Sequence, residues 1–162
     1  DRLESLELVP FKKAIQSNAD AVMVAHILLT KIDPEYPSSM SKVVITDILR
    51  NKLEFNGVVL TDDMTMGAIS ENYEIGEAAV RSINAGADIV LVCHDYSKEK
   101  AVVQAIAKAV ADGALSENRI NESVYRILSL KEKYGLSDKT IDEIDIETIN
   151  EHIRNLLEQY ME

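Results

Sequence analysis

The chain has 162 residues, and its 28 acidic and 17 basic side chains give a formal net charge of −11. This excess of negative charge, with no block of Lys or Arg, disfavours binding to nucleic-acid phosphates and to anionic membrane surfaces. A hydrophobic content of 46% is that of a globular domain with a sizeable core, which excludes disorder of the whole chain.

Short apolar runs alternate with segments of helical periodicity over the first 93 residues. The sequence predicts buried strands that begin at Ala21, Val58 and Ile89. It predicts helices over about residues 3–18, from 44 to near 57 behind a cap at Ser41, and over about 75–84. Continuous apolar strands joined by helical crossovers indicate a parallel sheet covered on both faces.

An internal repeat supports this alternation. Residues 15–26 align without gaps to residues 83–94, and each segment passes from a helix end through a turn and a strand to a histidine. Residues 53–62, between the two copies, follow the same plan. The three predicted strands are therefore one βα unit apart along the chain.

Beyond Asp95 the pattern is helical. Two helices are predicted, over about residues 98–112 and from a cap at Ser116 to Gly135, with no strand between them. Residues 136–162 are rich in acidic side chains but keep apolar residues at helical spacing. We expect a charged turn there, followed by a terminal amphipathic helix.

Three parallel strands suffice for a small open sheet. A closed (β/α)₈ barrel needs eight strands and about 250 residues, more than this chain supplies. The fold is therefore either an open sheet or a part of a barrel, and composition and spacing leave both alternatives open.

Polar side chains follow all three predicted strands, at the edge where parallel α/β folds gather functional groups. They are His26 after the first strand, Asp62 and Asp63 after the second, and His94 and Asp95 after the third. Adjacent strand residues point to opposite faces, so Asp62 and Asp63 are not expected to share one role. One is expected to face a pocket and the other to accept structural hydrogen bonds.

Each of these residues also has a purely structural interpretation. An Asp directly after a strand often caps the following loop, and His26 could be a packed histidine with satisfied nitrogens. His26, Asp62 and His94 have the composition of a metal site, but polar strand ends are common without metal, and no metal is predicted. Cys93 is most simply a small core residue.

Several other sites lack their defining residues. The sequence contains no GxGxxG, P-loop, HExxH or GxSxG pattern, and no cofactor is predicted. Cys93 is the only cysteine, so no intrachain disulfide can form. The longest apolar runs are about a quarter of the ~20 residues that a membrane-spanning helix needs, so no span is predicted.

One segment resembles a known family. Residues 53–69, LEFNGVVLTDDMTMGAI, closely resemble the nucleophile region of glycoside hydrolase family 3, in its β-N-acetylhexosaminidase branch. The resemblance extends in order to further segments: AVMVAH (21–26), PSSMS (37–41), AAVRSINAGAD (78–88), IVLVC (89–93) and RINESVYRI (119–127). It covers nearly the whole chain as far as Gly135.

The resemblance implies a fold and a set of roles. Residues 1–135 would be the carboxy-terminal portion of a TIM-type (β/α)₈ barrel with three of its strands, and residues 136–162 the charged turn and terminal helix. Asp62 would be the nucleophile of a retaining hydrolase that acts on terminal N-acetylglucosamine in glycans or cell-wall muropeptides. Asp63 would hold the loop, and His26 and Met66 would contact the sugar. No cofactor or metal is implied.

One family feature is missing from this sequence. In this branch the general acid/base lies upstream, in a Lys-His-Phe-Pro-Gly-His-Gly type motif, and these 162 residues contain no such motif. We therefore expect a fragment that is inactive alone and pairs with the amino-terminal half of the barrel or with another copy of the chain. A leader would lie on that missing half, so cytoplasmic and exported locations both stay open.

A second class of function also fits these residues. A non-catalytic carbohydrate-binding or assembly module on the same half-barrel would explain directly why the acid/base motif is missing. Fold alone does not separate the two alternatives, because barrels support many chemistries.

Overall fold

The computed structural model describes residues 2–138 and 145–160. Three strands form one parallel sheet in the order β1–β2–β3: Ala21–Val24, Val58–Asp63 and Ile89–Leu91. Six α-helices are described, α1 to α6: Leu8–Gln16, Gly67–Ser70, Ile75–Ala85, Tyr96–Ala111, Glu117–Lys133 and Ile146–Tyr160. A π-type turn (Leu3–Glu7) precedes α1, and the crossover helix (Val43–Lys52), which has π-type hydrogen bonds, connects β1 to β2.

The predicted parallel sheet with helical crossovers is confirmed. The predicted cap also forms, since Ser41 Oγ accepts the N–H of Val44 at 3.2 Å. The crossover helix ends at Lys52, so its predicted extension to near Gly57 was wrong. Phe55 is buried in the core there, and its N–H bonds to the carbonyl of Leu49.

Apolar burial is deepest at the start of the central strand β2, where Val58 and Val59 are 3% and 0% exposed. The predicted cover of the sheet on both faces was wrong for β1, because Met23 is 53% exposed. Three apolar clusters pack around the sheet and its helices: one of Val24, Ile45, Leu49, Leu53, Phe55, Val59, Ala85 and Ala87, one of Met40, Met64, Ile69 and Ala78, and one of Ile83, Ala109 and Leu115. Burial of such side chains contributes about 25 cal/mol per Å² of apolar surface.

A buried carboxylate organises the amino ends of the strands. Asp88, directly before β3, has a side chain that is 0% exposed. It accepts hydrogen bonds from five groups: Arg50 Nη2 (2.5 Å), Arg119 Nη2 (3.2 Å), Arg126 Nη1 (3.1 Å), Ser123 Oγ (2.8 Å) and the N–H of Val59 (3.0 Å). These bonds join the crossover helix, β2 and α5 at one point.

The carboxyl of Asp88 is held in its charged form. Burial by itself would raise the pKa of this carboxyl, but bonds from the Val59 N–H, from Ser123 and from the arginines outweigh burial and lower it. The internal repeat has a partial counterpart here, because Asp20 occupies the equivalent position and bonds Lys133 and Tyr134 at the end of α5. Both copies therefore tie a strand start to α5.

Two apolar surfaces lie exposed in the described chain. Beside β1, whose outer edge has no strand partner within residues 2–138 and 145–160, exposed residues include Phe11, Met23, Ile27 and Leu28. Helix α6 buries none of its described residues and exposes a row of apolar side chains: Ile146, Ile149, Ile153, Leu156 and Leu157. The predicted charged turn falls largely on residues 139–144, which lie outside the described residues, so the division at residue 135 stays a prediction.

None of the described helices is long and apolar enough to cross a membrane.

Replacing Asp88 with Asn should lower the free energy of unfolding at neutral pH by about 3–5 kcal/mol, because three guanidinium groups lose their buried counter-charge. Denaturant unfolding measures this loss. The folded-state pKa of Asp88 is lowered, so the stabilisation is complete above the unfolded pKa of about 3.9 and is lost as the pH falls below it.

The difference between wild type and D88N should therefore shrink in acid. Asp112→Asn is the matched control, because Asp112 pairs with Lys108 on the surface of α4, where such pairs contribute about 0.3–0.5 kcal/mol. Equal losses for the two variants would contradict the role given to Asp88.

Candidate active site

The carboxyl end of β2 contains a β-bulge. Leu60 pairs with Ile89 and Asp63 with Leu91, so three steps along β2 face two steps along β3. The hydroxyl of the fully buried Thr61 fills the gap by accepting the N–H of Leu91 at 3.1 Å. A bulge re-aims the side chains beside it, and here it lies at Thr61 and Asp62.

Asp63 is bonded on both carboxylate oxygens. Oδ1 accepts the N–H of Thr65 at 2.9 Å and the N–H of Cys93 at 3.0 Å. Oδ2 accepts the hydroxyl of Thr65 at 2.6 Å and lies 3.2 Å from Nδ1 of His94. This carboxylate therefore ties the loop after β2 to the end of β3.

These bonds keep Asp63 ionised. Burial alone would raise the pKa of its carboxyl, but the bonds from the Thr65 side chain and backbone, the Cys93 N–H and His94 hold that pKa well below its usual value. The Asp63 carboxylate is therefore ionised near neutral pH and acts only as a hydrogen-bond acceptor.

Asp62 is placed differently. Its Oδ1 accepts the N–H of Asp63 at 2.8 Å, and its other carboxylate oxygen makes no hydrogen bond within the described part of the chain. The residue is partly buried at the end of the central strand. Asp62 thus keeps one carboxylate oxygen that is not engaged within the described part of the chain, whereas both oxygens of Asp63 are bonded.

His26 lies on the β1 side of the same strand end. Its Nδ1 is 2.6 Å from Oγ of the fully buried Ser39, and its Nε2 is 3.0 Å from the carbonyl oxygen of Asp63. Both ring nitrogens are therefore engaged inside the chain. The sugar contact expected for His26 stays a prediction.

The end of β3 differs from the prediction. β3 ends at Leu91, and the thiol-bearing Cys93 is exposed, so its interpretation as a core residue was wrong. The reason is that the Cys93 N–H bonds to the Asp63 carboxylate instead of extending the strand. Desolvation and the nearby Asp63 charge raise the pKa of this thiol, which disfavours the reactive thiolate.

Two methionines flank Thr65 in the loop. Met64 is fully buried in the cluster with Met40 and Ile69, whereas Met66 is 46% exposed next to the strand end. Met66 is thus an apolar side chain available at the same edge as Asp62, as a sugar-contacting residue would need to be.

The structure brings the three polar strand ends together through the backbone and carboxylate of Asp63. No group of three His, Cys, Asp or Glu side chains suited to a metal ion occurs among residues 2–138 and 145–160. Sequence reasoning missed the part played by Ser39, Thr61 and Thr65. The roles of Thr61 and Thr65 could have been suspected only from their positions beside the two aspartates. Nothing in the sequence around Ser39 indicates that it bonds His26.

The family model of the glycosyl hydrolase family 3 N-terminal domain matches residues 1–130. The chain belongs to glycoside hydrolase family 3.

Relatives within family 3 carry hexosaminidase names. A β-hexosaminidase of Stenotrophomonas maltophilia strain K279a is 38% identical over 115 residues, which are 71% of this chain and 34% of that protein. The family 3 β-N-acetylglucosaminidase structure from Paenibacillus sp. strain FPU-7 has a TM-score of 0.81 at 42% identity, over 89% of this chain and 29% of that one. A fungal multi-domain family 3 β-N-acetylglucosaminidase has a TM-score of 0.89 at 29% identity, over 96% of this chain and 19% of that one.

The predicted fold class is confirmed, and the three strands and their helices form a portion of a family 3 barrel. The chain spans about a third or less of the length of these family 3 proteins.

Thr65→Val tests the loop anchor. Removing the hydroxyl that bonds the half-buried Asp63 carboxylate should lower the free energy of unfolding by about 1.5–3 kcal/mol, the range for hydrogen bonds to charged groups. Ser97→Ala is the control, because Ser97 makes the same two bonds to Asp95 in full exposure, where water replaces the hydroxyl. Denaturant unfolding should show a clearly smaller loss for S97A, and equal losses would contradict the anchor.

Proposed function

We propose that this chain supplies the nucleophile part of a retaining β-N-acetylhexosaminidase site, with Asp62 as the nucleophile. This proposal rests on the different hydrogen bonding of the Asp62 and Asp63 carboxylates at the end of β2. Asp63 has every carboxylate oxygen bonded, whereas Asp62 keeps one oxygen for a ligand. The names of the family 3 relatives support N-acetylglucosamine as the sugar.

The chemistry of such a site has two steps. The Asp62 carboxylate attacks the anomeric carbon of the terminal sugar, the bond to the leaving-group oxygen breaks, and a glycosyl ester forms. Water then attacks the anomeric carbon from the face that the leaving group left, opposite Asp62. The ester bond breaks and releases the Asp62 carboxylate, so that the overall configuration is retained. A carboxylate fixed by a β-strand and by its neighbour's N–H is suited to the in-line attack, because a well-oriented nucleophile loses little entropy on reaching the transition state.

The leaving group also needs a proton. General acid catalysis is commonly worth about 10²–10⁴-fold in rate, and the family's acid/base motif does not occur in these 162 residues. We propose that this group comes from an upstream barrel half, or from another copy, that packs beside β1. The exposed Phe11, Met23 and Ile27 support this surface as the contact, as does the edge of β1 that has no strand partner among the residues the structure describes.

Met66 would form an apolar wall of the sugar site. Its exposure next to Asp62 lets the thioether pack against the ring face of the sugar or its N-acetyl methyl group. Asp63 would hold the loop that positions Met66, through its bonds to Thr65.

A carbohydrate-binding or assembly module is the second candidate. In this candidate the polar strand ends His26, Asp62 and Asp63 bind a carbohydrate without cleaving it, and binding needs no proton donor. The two candidates differ in one consequence: only the enzyme turns over substrate once the proton donor is restored.

Release of nitrophenol from a nitrophenyl β-N-acetylglucosaminide separates them. The chain should be measured alone and co-expressed with the upstream segment of the Stenotrophomonas maltophilia β-hexosaminidase. We expect little activity alone and clear activity in the complex, because that segment would supply the acid/base. Substrate binding without turnover in a folded complex would favour the binding module.

Asp62→Asn should abolish turnover in the complex without lowering its thermal stability, since the amide is a poor nucleophile. Asp95→Asn is the matched control, because Asp95 also follows a strand but caps α4 through Ser97, a role that Asn fills well. Turnover of D62N close to that of D95N would overturn the assignment of the nucleophile.

A further inference from the structure

The imidazole of His26 connects two parts of the chain on either side of the strand end. It lies 2.6 Å from the Ser39 hydroxyl and 3.0 Å from the carbonyl oxygen of Asp63. Ser39 is fully buried in the short helical turn Ser38–Met40, which packs against α3. The His26 ring is therefore held by the buried Ser39 on one side and contacts the backbone of Asp63, the residue after Asp62, on the other.

The hydrogen-bonding groups fix the tautomer of His26. A carbonyl oxygen can only accept, so Nε2 must carry the hydrogen that is shared with Asp63. In the neutral ring Nδ1 is then an acceptor, and the Ser39 hydroxyl donates to it. Ser39 thereby holds the ring in the tautomer and orientation that the Asp63 carbonyl needs.

At the end of β2, the carbonyl of Asp63 has no ladder partner on β1 and is bonded by His26 instead. The β1–β2 ladder ends at the pair Val24–Thr61, and the bulge interrupts the ladder on the β3 side between Leu60 and Asp63. The Asp63 carbonyl lies beyond the last β1 pair. It accepts the N–H of Met66 at 3.0 Å within its own turn, and the imidazole N–H of His26 is its connection to the β1 side.

We propose that His26 is a positioning residue for Asp62, which acts by holding the Asp63 carbonyl and with it the turn from Asp62 to Met66. This inference rests on the proposed function of Asp62. It gives His26 a role that differs from a direct contact with the sugar. A displacement of about 1 Å in a reacting group can cost about 10²-fold in rate, so an anchor at this carbonyl matters for turnover.

Two variants separate the anchor from simple packing. In His26→Gln the side-chain amide nitrogen can reach the place of Nε2 and donate to the Asp63 carbonyl. In His26→Asn the shorter amide reaches only the place of Nδ1, beside Ser39, and the bond to Asp63 is lost. The two variants are alike in polarity, and each keeps one of the two bonds: H26Q the bond to Asp63, and H26N the bond to Ser39.

Amide hydrogen exchange of Met66, measured on this chain, is the first readout. Its N–H shares the Asp63 carbonyl with His26. We expect exchange to accelerate about 10-fold in H26N and to stay close to wild type in H26Q, because local opening sets the exchange rate. Equal exchange rates in the two variants would overturn the proposal without reference to any activity.

Kinetics of the complex with the upstream segment give the second readout. We expect H26N to lower kcat by about 10–100-fold with KM little changed, and H26Q to restore most of kcat. Ser39→Ala should lower kcat less than H26N. An increase of KM in H26Q and H26N alike would overturn the proposal in favour of a sugar contact.

Asp62→Asn, measured in the same series, distinguishes a failure of the His26 hypothesis from a failure of the Asp62 assignment. If D62N is inactive while H26N turns over like wild type, the positioning role of His26 is overturned and the nucleophile stands. If D62N is active, the proposed function itself is overturned.

Discussion

The buried carboxylate of Asp88 holds the amino ends of β2 and β3 to the helices around them. It lies buried at the amino end of β3 and bonds Arg50 of the crossover helix, Arg119 of α5 and the backbone of β2 at Val59. A charge in the core is costly unless it is fully paired, so these partners cannot move away independently. The bonds fix the start of β2, and Asp62 lies three residues past Val59, about 10 Å along the strand.

The carboxyl end of β2 is shaped by side chains rather than by strand pairing. Thr61 replaces a ladder partner at the bulge, Asp63 collects donors from the loop and from Cys93, and His26 holds the last carbonyl. Two adjacent aspartates with the same chemistry thereby acquire different surroundings. The one with saturated oxygens maintains the loop, and the one with an available oxygen is suited to react. An irregular backbone at a functional site is a recurring arrangement in β-structure.

Much of the fold follows from the sequence because it depends on burial. The apolar runs that begin at Ala21, Val58 and Ile89 predict the strands, and the rule that parallel sheets gather polar residues at one edge brings His26 and Asp62 close together. The repeat also predicts that β1 and β3 begin in the same way. In the structure Asp20 and Asp88 lie directly before these two strands, and each makes side-chain hydrogen bonds there.

The rest could not be predicted because it depends on contacts between distant segments. The bulge at Thr61 exists only in register with Leu91, 30 residues away in sequence, and the bond from Ser39 to His26 joins residues 13 apart. The exposure of Cys93 follows from the capture of its N–H by Asp63, which no local pattern indicates. Apolar periodicity predicts helix α6, but it does not predict what packs against that helix.

Trapping the glycosyl ester would show directly which carboxylate is the nucleophile. The complex with the upstream segment would be incubated with a fluorinated N-acetylglucosaminyl fluoride, whose second step is slow, and the peptide containing residues 58–66 analysed by fragmentation mass spectrometry. We expect one sugar adduct, on Asp62. An adduct on Asp63, or steady hydrolysis with no adduct on this peptide, would contradict it.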